Sequence, residues 1–257
     1  MNNQPRTAPA EGLADTTAIV TGAGRGFGRA IAAALVAAGA RVVGVARTRS
    51  QLEEVRTESG DAFTPVVGDA ADPATAERLI DEYRPRTLVL CAGATPPMLP
   101  LQEQTWETFS ENWNSDVAQA FHWVRHALLR PLAPGSSVIV MSSGAALNGS
   151  PLSGGYAGAK ATVRFITSYA GIEAQRARLG IGFTAVLPRL TPATALGAAA
   201  VAAYANRQGL DVDAFVQASG PALTAEQVGK SVLEIATGEA TGQDAYLLTS
   251  AGLSPLA

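Results

Sequence analysis

The chain has 257 residues, of which 16% are charged and 47% hydrophobic, with 26 glycines and a net charge of −3 at pH 7. This mix is typical of one compact domain with many tight turns, and it excludes a disordered or fibrous protein. Basic residues are scattered along the chain, so neither a nucleic acid nor a membrane surface is predicted as a partner.

No secretory signal peptide is predicted at the start of the sequence. Residues 1–14 lack the charged start and apolar middle of a signal peptide and are interpreted as a flexible N-terminal tail. The single cysteine, Cys91, allows no internal disulfide, which favours a reducing, cytoplasmic location. With only two histidines beside it, His122 and His126, no metal site is predicted.

Short β-branched runs alternate with helical stretches along the chain. Strands are predicted at 16–20, 41–46, 63–68, 86–93, 136–143, 180–187 and 244–248. Helices are predicted at 28–39, 50–59, 72–83, 105–130, 155–179, 195–205 and 224–237. This alternation indicates βαβ units with right-handed crossovers. We therefore predict an α/β fold, a doubly wound parallel sheet of about seven strands in a single domain spanning residues 15–257.

A glycine-rich stretch, IVTGAGRGFGRAIA, follows the first predicted strand and opens the first helix. Glycines here permit a sharp turn, close approach of the backbone to a pyrophosphate and close packing of helix on sheet, while the helix N-terminus offers free N–H groups to the anion. The strand–loop–helix context predicts Rossmann-type dinucleotide binding. The residues expected to take part are Gly22, Arg25, Gly26, Phe27 and Gly28.

The end of the second strand indicates which dinucleotide binds. NAD sites place an acidic residue there for the ribose 2′-hydroxyl, whereas NADP sites place an arginine near the 2′-phosphate. The sequence reads GVARTRS, with Arg47 at the position of the carboxylate and no acidic residue before Glu53. Arg25 could reach the same phosphate from the glycine loop, and guanidinium groups suit phosphate. The predicted cofactor is NADP(H).

Five motifs together resemble the short-chain dehydrogenase/reductase family. They are TGAGRGFG after the first strand, GDAAD after the third, CAG after the fourth, SS after the fifth and YAGAK on the following helix. Their order and spacing extend the resemblance over residues 14–250. The resemblance implies an oxidoreductase that transfers a hydride between NADP(H) and a ketone, aldehyde or alcohol, with Ser143, Tyr156 and Lys160 as catalytic residues.

The chemistry of these three residues agrees with that role. Tyr156 and Lys160 are four positions apart, on one face of a helix. A free tyrosine titrates near pH ~10, and a neighbouring ammonium favours its phenolate. Lysine also has three compact donors for tyrosine and ribose hydroxyls. Tyr156 is predicted to be the general acid in reduction and the base in oxidation. Ser143, thirteen residues earlier, is predicted to stabilise the substrate oxygen.

One departure from the family concerns a fourth catalytic group. Relatives carry an asparagine five residues before a phenylalanine, where it helps to hold a water chain leading from the lysine; here counting back from Phe121 gives Asp116. A carboxylate could accept the same hydrogen bonds and raise the pKa of Lys160. Asp116 is predicted to take the role, and Asn114 is the alternative after a local shift.

The resemblance implies further cofactor contacts, although the motifs are altered. The family's NNAG is LCAG in this chain, and its PG after the sixth strand is PR. Asp69 matches a residue that contacts adenine, with capping of its own loop as the alternative, and either Thr191 or Thr194 is expected to hold the nicotinamide carboxamide. The predicted contacts are Asp69, Ala70, Ala92, Gly93, Tyr156, Lys160, Pro188 and Thr191.

Residues 190–220 correspond to a lid over the substrate in relatives. Leu190, Leu196, Tyr204 and Thr95 are candidate pocket residues, and the absence of a charged cluster in the lid favours a neutral, fairly apolar substrate. Two other functions stay open: non-redox chemistry such as dehydration or cyclisation, and NADP binding without turnover by a regulator. Relatives form dimers or tetramers, so a homodimer or homotetramer is expected, with helices at 105–130 and 155–179 as contact faces.

Overall fold

The computed structural model describes residues 12–240 and 242–256, and the tail predicted for residues 1–14 lies mostly outside them. Eight strands form one sheet in the order β3-β2-β1-β4-β5-β6-β7-β8. All neighbouring strands are parallel except β7 and β8, which are antiparallel. The strands are β1 (Thr17–Thr21), β2 (Arg41–Ala46), β3 (Phe63–Val67), β4 (Thr87–Leu90), β5 (Ser137–Met141), β6 (Gly182–Pro188), β7 (Ala245–Thr249) and β8 (Gly252–Pro255).

Helices cover both faces of this sheet. Within the described residues they are α1 (Gly26–Ala37), α2 (Arg49–Ser59), α3 (Pro73–Tyr83), α4 (Trp106–Asn112), α5 (Ala118–Leu129), α6 (Ala145–Asn148), α7 (Gly154–Arg176), α8 (Ala195–Arg207), α9 (Val212–Ala218) and α10 (Ala225–Ala236). A π-helical turn, Trp113–Val117, joins α4 to α5. The expected doubly wound α/β fold in a single domain is thereby confirmed.

Two apolar cores, one on each face, hold the layers together. Val20 of β1 belongs to the core shared with α1 and α10, whereas the next residue back, Ile19, belongs to the core shared with α3, α5 and α7. Successive side chains of a strand point to opposite faces, so β1 must be apolar throughout to serve both cores. This explains why the central strands are continuous hydrophobic runs rather than alternating ones.

The structure differs from the sequence prediction in its short elements. The eighth strand, β8, contains a proline and has no alternating pattern; as an edge strand it can tolerate that proline. The helical zone predicted at 105–130 is two helices with a π-helical turn between them, and α6 and α9 were not expected. Only four to seven residues make up each of the short elements, which are α4, the π-helical turn, α6, α9 and β8. That is too few for a periodic pattern to be visible.

The strand order reverses between β1 and β4, because β2 and β3 continue on one side and β5 to β8 on the other. In open α/β sheets, ligands bind in the crevice beyond the carboxyl ends of the strands at this switch point. Four of the five predicted motifs follow strands, and the fifth lies on α7, so the fold brings them to that crevice. Among the described residues, no helix has both the length and the apolar character needed to cross a membrane.

Candidate active site

A cleft of about 1620 Å³ lies at the carboxyl ends of the parallel strands. Every residue that the sequence predicted for catalysis or cofactor binding lines this cleft. They come from segments that follow β1, β2, β3, β4, β5 and β6 and from α7 and the π-helical turn. The fold thus gathers residues that are up to 169 positions apart, from Gly22 to Thr191, around one cavity.

The glycine loop is a cradle that has no room for side chains. Gly22 has a φ of +70°, and a Cβ atom there would lie 2.8 Å from the backbone nitrogen of Ala92. A Cβ on Gly28 would lie 2.1 Å from the carbonyl oxygen of Gly22. Only glycine fits either position, because the protein's own backbone occupies the place that a Cβ atom would take.

Two arginines flank the cradle without an acidic partner. Arg25 precedes α1 and Arg47 follows β2; both are exposed in the cleft, and neither has an ion pair within the described part of the chain. Arg29, one turn into α1, is by contrast held by Glu54 at 3.4 Å and by Glu58. Arg25 and Arg47 are therefore the cations available to an anion in this part of the cleft.

The segment after β3 is fixed by its own hydrogen bonds. The Oδ1 atom of Asp69 accepts a hydrogen bond from the backbone N–H of Ala71 at 2.9 Å, which is the loop-capping role considered as the alternative. Asp69 also lines the cleft, so the capping role does not exclude a contact with a nucleotide base. The indole of Trp123 donates to the carbonyl oxygen of Ala70 at 2.8 Å and so anchors the loop.

Gln119 and Thr21 hold the turn after β4, and the sequence analysis missed this arrangement. Gln119 Nε2 donates to the carbonyl oxygen of Ala92 at 2.9 Å, and its Oε1 accepts from Thr21 Oγ1 at 2.6 Å. Thr21 Oγ1 in turn accepts from the backbone N–H of Cys91 at 2.9 Å. The sequence does contain a signal for this arrangement. A glutamine lies three residues after Asp116, and the two asparagines of the family's NNAG motif are absent.

Lys160 is buried and held from two sides. Its Nζ atom lies 3.0 Å from Asp116 Oδ2 and donates to the carbonyl oxygen of Met141 at 3.0 Å. An ammonium has three hydrogens, so one is left for another partner. The Nζ atom lies 5.7 Å from the centre of the Tyr156 ring. Burial lowers the pKa of Lys160, but the negative charge of Asp116, with a smaller effect of Tyr156, outweighs it and raises the pKa.

Asp116, rather than Asn114, is the residue that contacts Lys160. Asp116 is 2% exposed, and its Oδ1 accepts from the backbone N–H of Ala94 at 2.9 Å, from Ser115 Oγ at 2.7 Å and from Asn112 Nδ2 at 3.3 Å. Asn114 is exposed at the edge of the cleft. The π-helical turn inserts one residue into the helix and so changes which side chains face inward. Asn112 is a second support that sequence reasoning missed.

The position of α7, which carries Tyr156 and Lys160, depends on a glycine and on a serine. A Cβ on Gly155 would lie 1.9 Å from the carbonyl oxygen of Phe109, so only glycine allows α7 to pack this close to α4. Ser142 Oγ donates to the backbone carbonyl of Lys160 at 2.7 Å, which ties α7 to the end of β5. Ser143 follows Ser142 directly, and its Oγ accepts from the backbone N–H of Ala145 at 3.2 Å.

The two threonines after β6 have different surroundings. Thr191 is buried, and its hydroxyl donates to the carbonyl oxygen of Leu223 at 2.6 Å. Thr194 caps α8 by accepting from the N–H of Gly197 at 3.0 Å. Its Cγ2 lies 3.4 Å from the position that a Cβ of Gly26 would have. Thr191 could therefore meet a cofactor mainly through its backbone, whereas Thr194 faces the glycine loop.

Cys91 lies in the cleft between these groups. Burial raises the pKa of its thiol to about 11, with a smaller opposing effect of Lys160 and a reinforcing one of Asp116. The thiol is therefore neutral at physiological pH, and a neutral thiol is a poor nucleophile.

The four candidate pocket residues all line the cleft. Tyr204 of α8 also connects residues 190–220 to the loop that precedes α7, because its hydroxyl hydrogen-bonds Ser150. Ser150 bonds Ser153, at the start of α7, at 2.6 Å. Residues 190–220 are thus tied by hydroxyl groups to the helix that carries Tyr156.

Comparisons with known proteins agree with this geometry. The family described as short chain dehydrogenase matches residues 16–205. The L-xylulose reductase of Mesocricetus auratus is 37% identical over 51% of this chain and 54% of its own. Carbonyl reductase [NADPH] 2 of Sus scrofa is 34% identical over 49% and 52%, and sorbitol dehydrogenase of Cereibacter sphaeroides is 30% identical over 67% and 69%.

These alignments with L-xylulose and carbonyl reductases span about half the length of each relative. The family match, in contrast, runs from β1 into α8 and includes the glycine loop, Asp116, Ser143, Tyr156 and Lys160. The chain belongs to the short-chain dehydrogenase family.

Proposed function

We propose that the protein is an NADP(H)-dependent oxidoreductase that interconverts a ketone or aldehyde and the corresponding alcohol. The observation that carries the proposal is the position of the buried Lys160 ammonium, 5.7 Å from the ring of Tyr156, in the cleft that Ser143 and the glycine cradle also line. A proton donor, an oxygen-binding hydroxyl and a nucleotide cradle in one cavity are the parts that carbonyl reduction needs.

The residues of the cleft fit a dinucleotide with a 2′-phosphate. Gly22 and Gly28 allow the tight loop that leads into α1 at the cleft, where a helix N-terminus suits a pyrophosphate. The unpaired guanidinium groups of Arg25 and Arg47 suit a phosphate through charge-assisted hydrogen bonds. Asp69 and Ala70 would lie along the adenosine, and Ala92, Gly93, Pro188 and Thr191 along the nicotinamide half. When bound, the nicotinamide supplies or accepts the hydride.

Side chains that line the cleft carry out the proton transfer to the substrate oxygen. In the direction of reduction, the Tyr156 hydroxyl donates its proton to the substrate oxygen, and the Ser143 hydroxyl donates a hydrogen bond to the same oxygen. Lys160 stabilises the phenolate that is left, since it keeps one hydrogen beyond those used by Asp116 and Met141. Asp116 keeps Lys160 in place and charged.

The names of the relatives support this choice of chemistry. An L-xylulose reductase, a carbonyl reductase [NADPH] and a sorbitol dehydrogenase all act on a carbonyl or a secondary alcohol by name, and the second of these names NADPH. Arg47, at the position that distinguishes NADP from NAD sites, supports the same cofactor independently of those names.

A non-redox reaction on the same scaffold, such as dehydration or cyclisation, is the second candidate. The observation that favours it is the buried carboxylate of Asp116 in place of the family's asparagine, because a carboxylate can act as a general base. Its contact with Lys160 at 3.0 Å and its three hydrogen-bond donors make it a poor base, and the carbonyl–alcohol proposal therefore ranks first.

We also propose a homo-oligomer formed through α5 and α7. Phe165, Tyr169 and Ile172 of α7 are 53%, 60% and 57% exposed, and Phe121 of α5 is 50% exposed. Exposed apolar side chains grouped on two packed helices are typical of a subunit interface. Light scattering of the purified protein should give a dimer or tetramer, and a monomer at micromolar concentration would contradict the proposal.

The test of the proposed function is a panel of ketones, aldehydes and alcohols assayed with NADPH and with NADH. We expect carbonyl-dependent loss of the reduced-nicotinamide absorbance with NADPH and little with NADH. Substrate conversion without any change in that absorbance would support the non-redox alternative. Tight binding of NADPH with no conversion of any compound would favour a regulator instead.

A further inference from the structure

Arg189 stands where the family's PG motif has its glycine. Its backbone N–H donates to the carbonyl oxygen of Leu248 at 2.8 Å, and the N–H of Gly144 donates to the carbonyl oxygen of Pro188 at 2.9 Å. Gly144 follows Ser143 in the chain. The backbone of Arg189 is therefore held beside the loop that carries Ser143, the residue that the proposed function assigns to the substrate oxygen, and its side chain is exposed.

Arg189 is too far from the other cationic region to serve the 2′-phosphate. It follows β6, whereas Arg47 follows β2, and these strands are four positions apart in the sheet. At a spacing of ~4.8 Å per strand the separation is roughly 19 Å. Ser143, in contrast, follows β5, the direct neighbour of β6. Arg189 thus belongs to the reaction end of the cleft.

The guanidinium group of Arg189 has no acidic partner in the described part of the chain. Of the acidic side chains that line the cleft, Asp116 is paired with Lys160, and Asp69 follows β3 on the far side of the sheet. Glu111, the third, projects from α4 and is exposed. An arginine without a counter-ion in a binding cleft is available for an anionic group of a ligand.

A second, smaller cavity meets the cleft at this point. Its volume is about 190 Å³, and it shares Arg189, Leu190 and Phe215 with the main cleft. The remaining lining is largely apolar and comes from α9 and the segments around it: Pro192, Val201, Val216, Pro221, Ala222 and Leu223, with Ser219, Gly220 and Ser250. Among the described residues that line this side pocket, Arg189 alone is charged.

We propose that Arg189 makes the enzyme selective for carbonyl compounds that also carry a carboxylate or similar anionic group. The proposal rests on the proposed function and specifies its substrate class. The carbonyl would lie at Ser143 and Tyr156, the anionic group would pair with the Arg189 guanidinium, and the apolar side pocket would take a short hydrocarbon part. It replaces the neutral substrate expected from residues 190–220, a range that begins one position after the arginine.

The test compares keto acids with their uncharged esters. The probes are 2-oxopentanoate and 4-oxopentanoate, each paired with its ethyl ester, and the variants are Arg189→Gln and Arg189→Gly. The matched control is Arg207→Gln, an exposed arginine at the end of α8 that does not line the cleft. KM with NADPH is measured for each probe, together with the Kd of each acid for the enzyme–NADP⁺ complex and the Kd of NADPH.

We expect the wild-type enzyme to prefer at least one acid to its ester. Both Arg189 variants should weaken binding of that acid by about tenfold or more, because a charge-assisted pair is lost. Binding of the ester and of NADPH should change by less than about threefold, and Arg207→Gln should change nothing.

Three results would overturn the proposal: no preference for either acid in the wild type, equal losses for acid and ester, or a loss of NADPH affinity in the Arg189 variants. Failure of the proposed function looks different. In that case no probe is reduced, while the Kd measurements still report whether Arg189 selects the acid.

Discussion

The two ends of the cleft are built in different ways. At the nucleotide end, shape is decisive: Gly22 and Gly28 leave no space for a Cβ atom, and Arg25 and Arg47 extend into the cleft without partners. At the reaction end, contacts are decisive: Lys160 is held by Asp116 and by Met141 at 3.0 Å each. The nucleotide end therefore combines a tight glycine loop with unpaired cations, whereas the reaction end holds an ion pair and hydrogen bonds that form without a ligand.

This difference determines how each end should respond to mutation. A residue of the nucleotide end acts on the ligand directly, so its loss should appear as weaker binding. A residue of the network that holds Lys160 acts through its neighbours, so its loss should appear in turnover and in the pH dependence of turnover. Variants that reverse this pattern would break the comparison.

The largest effect on binding is expected for Arg47→Asp. A carboxylate there removes the pairing with a 2′-phosphate and repels it, while it leaves room for the 2′-hydroxyl of NADH. The Kd of NADPH should rise by about 100-fold, and the Kd of NADH by less than about threefold, in a fluorescence titration. Arg49→Asp, two residues later and paired with Glu53 at 3.9 Å, is the control. Equal losses for both nucleotides would contradict the assignment of NADP(H).

A smaller effect, on the pH profile, is expected for Asp116→Asn. The amide keeps the shape but loses the charge that opposes the effect of burial, so the pKa of Lys160 falls. Lys160 then loses its proton at lower pH, and the alkaline limb of the kcat profile should move down by about one pH unit or more. The NADPH affinity of the Asp116→Asn variant should stay within about threefold of that of the wild type.

Asn114→Ala tests the alternative for the same role. Because Asn114 lies exposed at the edge of the cleft, its loss should leave the profile unchanged. A profile that moves with Asn114 and not with Asp116 would reverse the assignment.

The smallest effect on activity is expected for Cys91. With a pKa raised to about 11, its thiol should react with iodoacetamide at pH 8 roughly 100-fold more slowly than a free cysteine. Labelling should accelerate as the pH rises toward that value and slow again when NADPH fills the cleft. Cys91→Ala should keep kcat within about twofold. Rapid labelling at pH 7 would show a reactive thiol instead.

The same difference explains what the sequence could predict. Gly22, Gly28 and Arg47 could be placed from local signals, because a strand, a turn and a helix start follow one another in the chain. Gln119 and Asn112 could not, since their partners Ala92 and Ala94 lie on another segment and no periodic pattern links them. The same holds for the contact between Ser142 and the backbone of Lys160, 18 residues later.

The reaction end also depends on a local irregularity of a helix that no pattern in the sequence predicts. The π-helical turn at 113–117 turns Asp116 toward Lys160, whereas the regular helix predicted over 105–130 left Asp116 and Asn114 as alternatives. Arg189 was visible as a departure from the PG motif, but its place between two cavities follows only from the fold.

The central claim is that Tyr156 delivers the proton to the substrate oxygen, and the most direct test is single-turnover reduction by Tyr156→Phe. Phenylalanine keeps the ring beside Lys160 and removes only the hydroxyl. The account predicts that the rate of NADPH oxidation by a carbonyl substrate falls by about 1000-fold or more, with the Kd of NADPH unchanged. A variant that turns over at a rate near that of the wild type would contradict it.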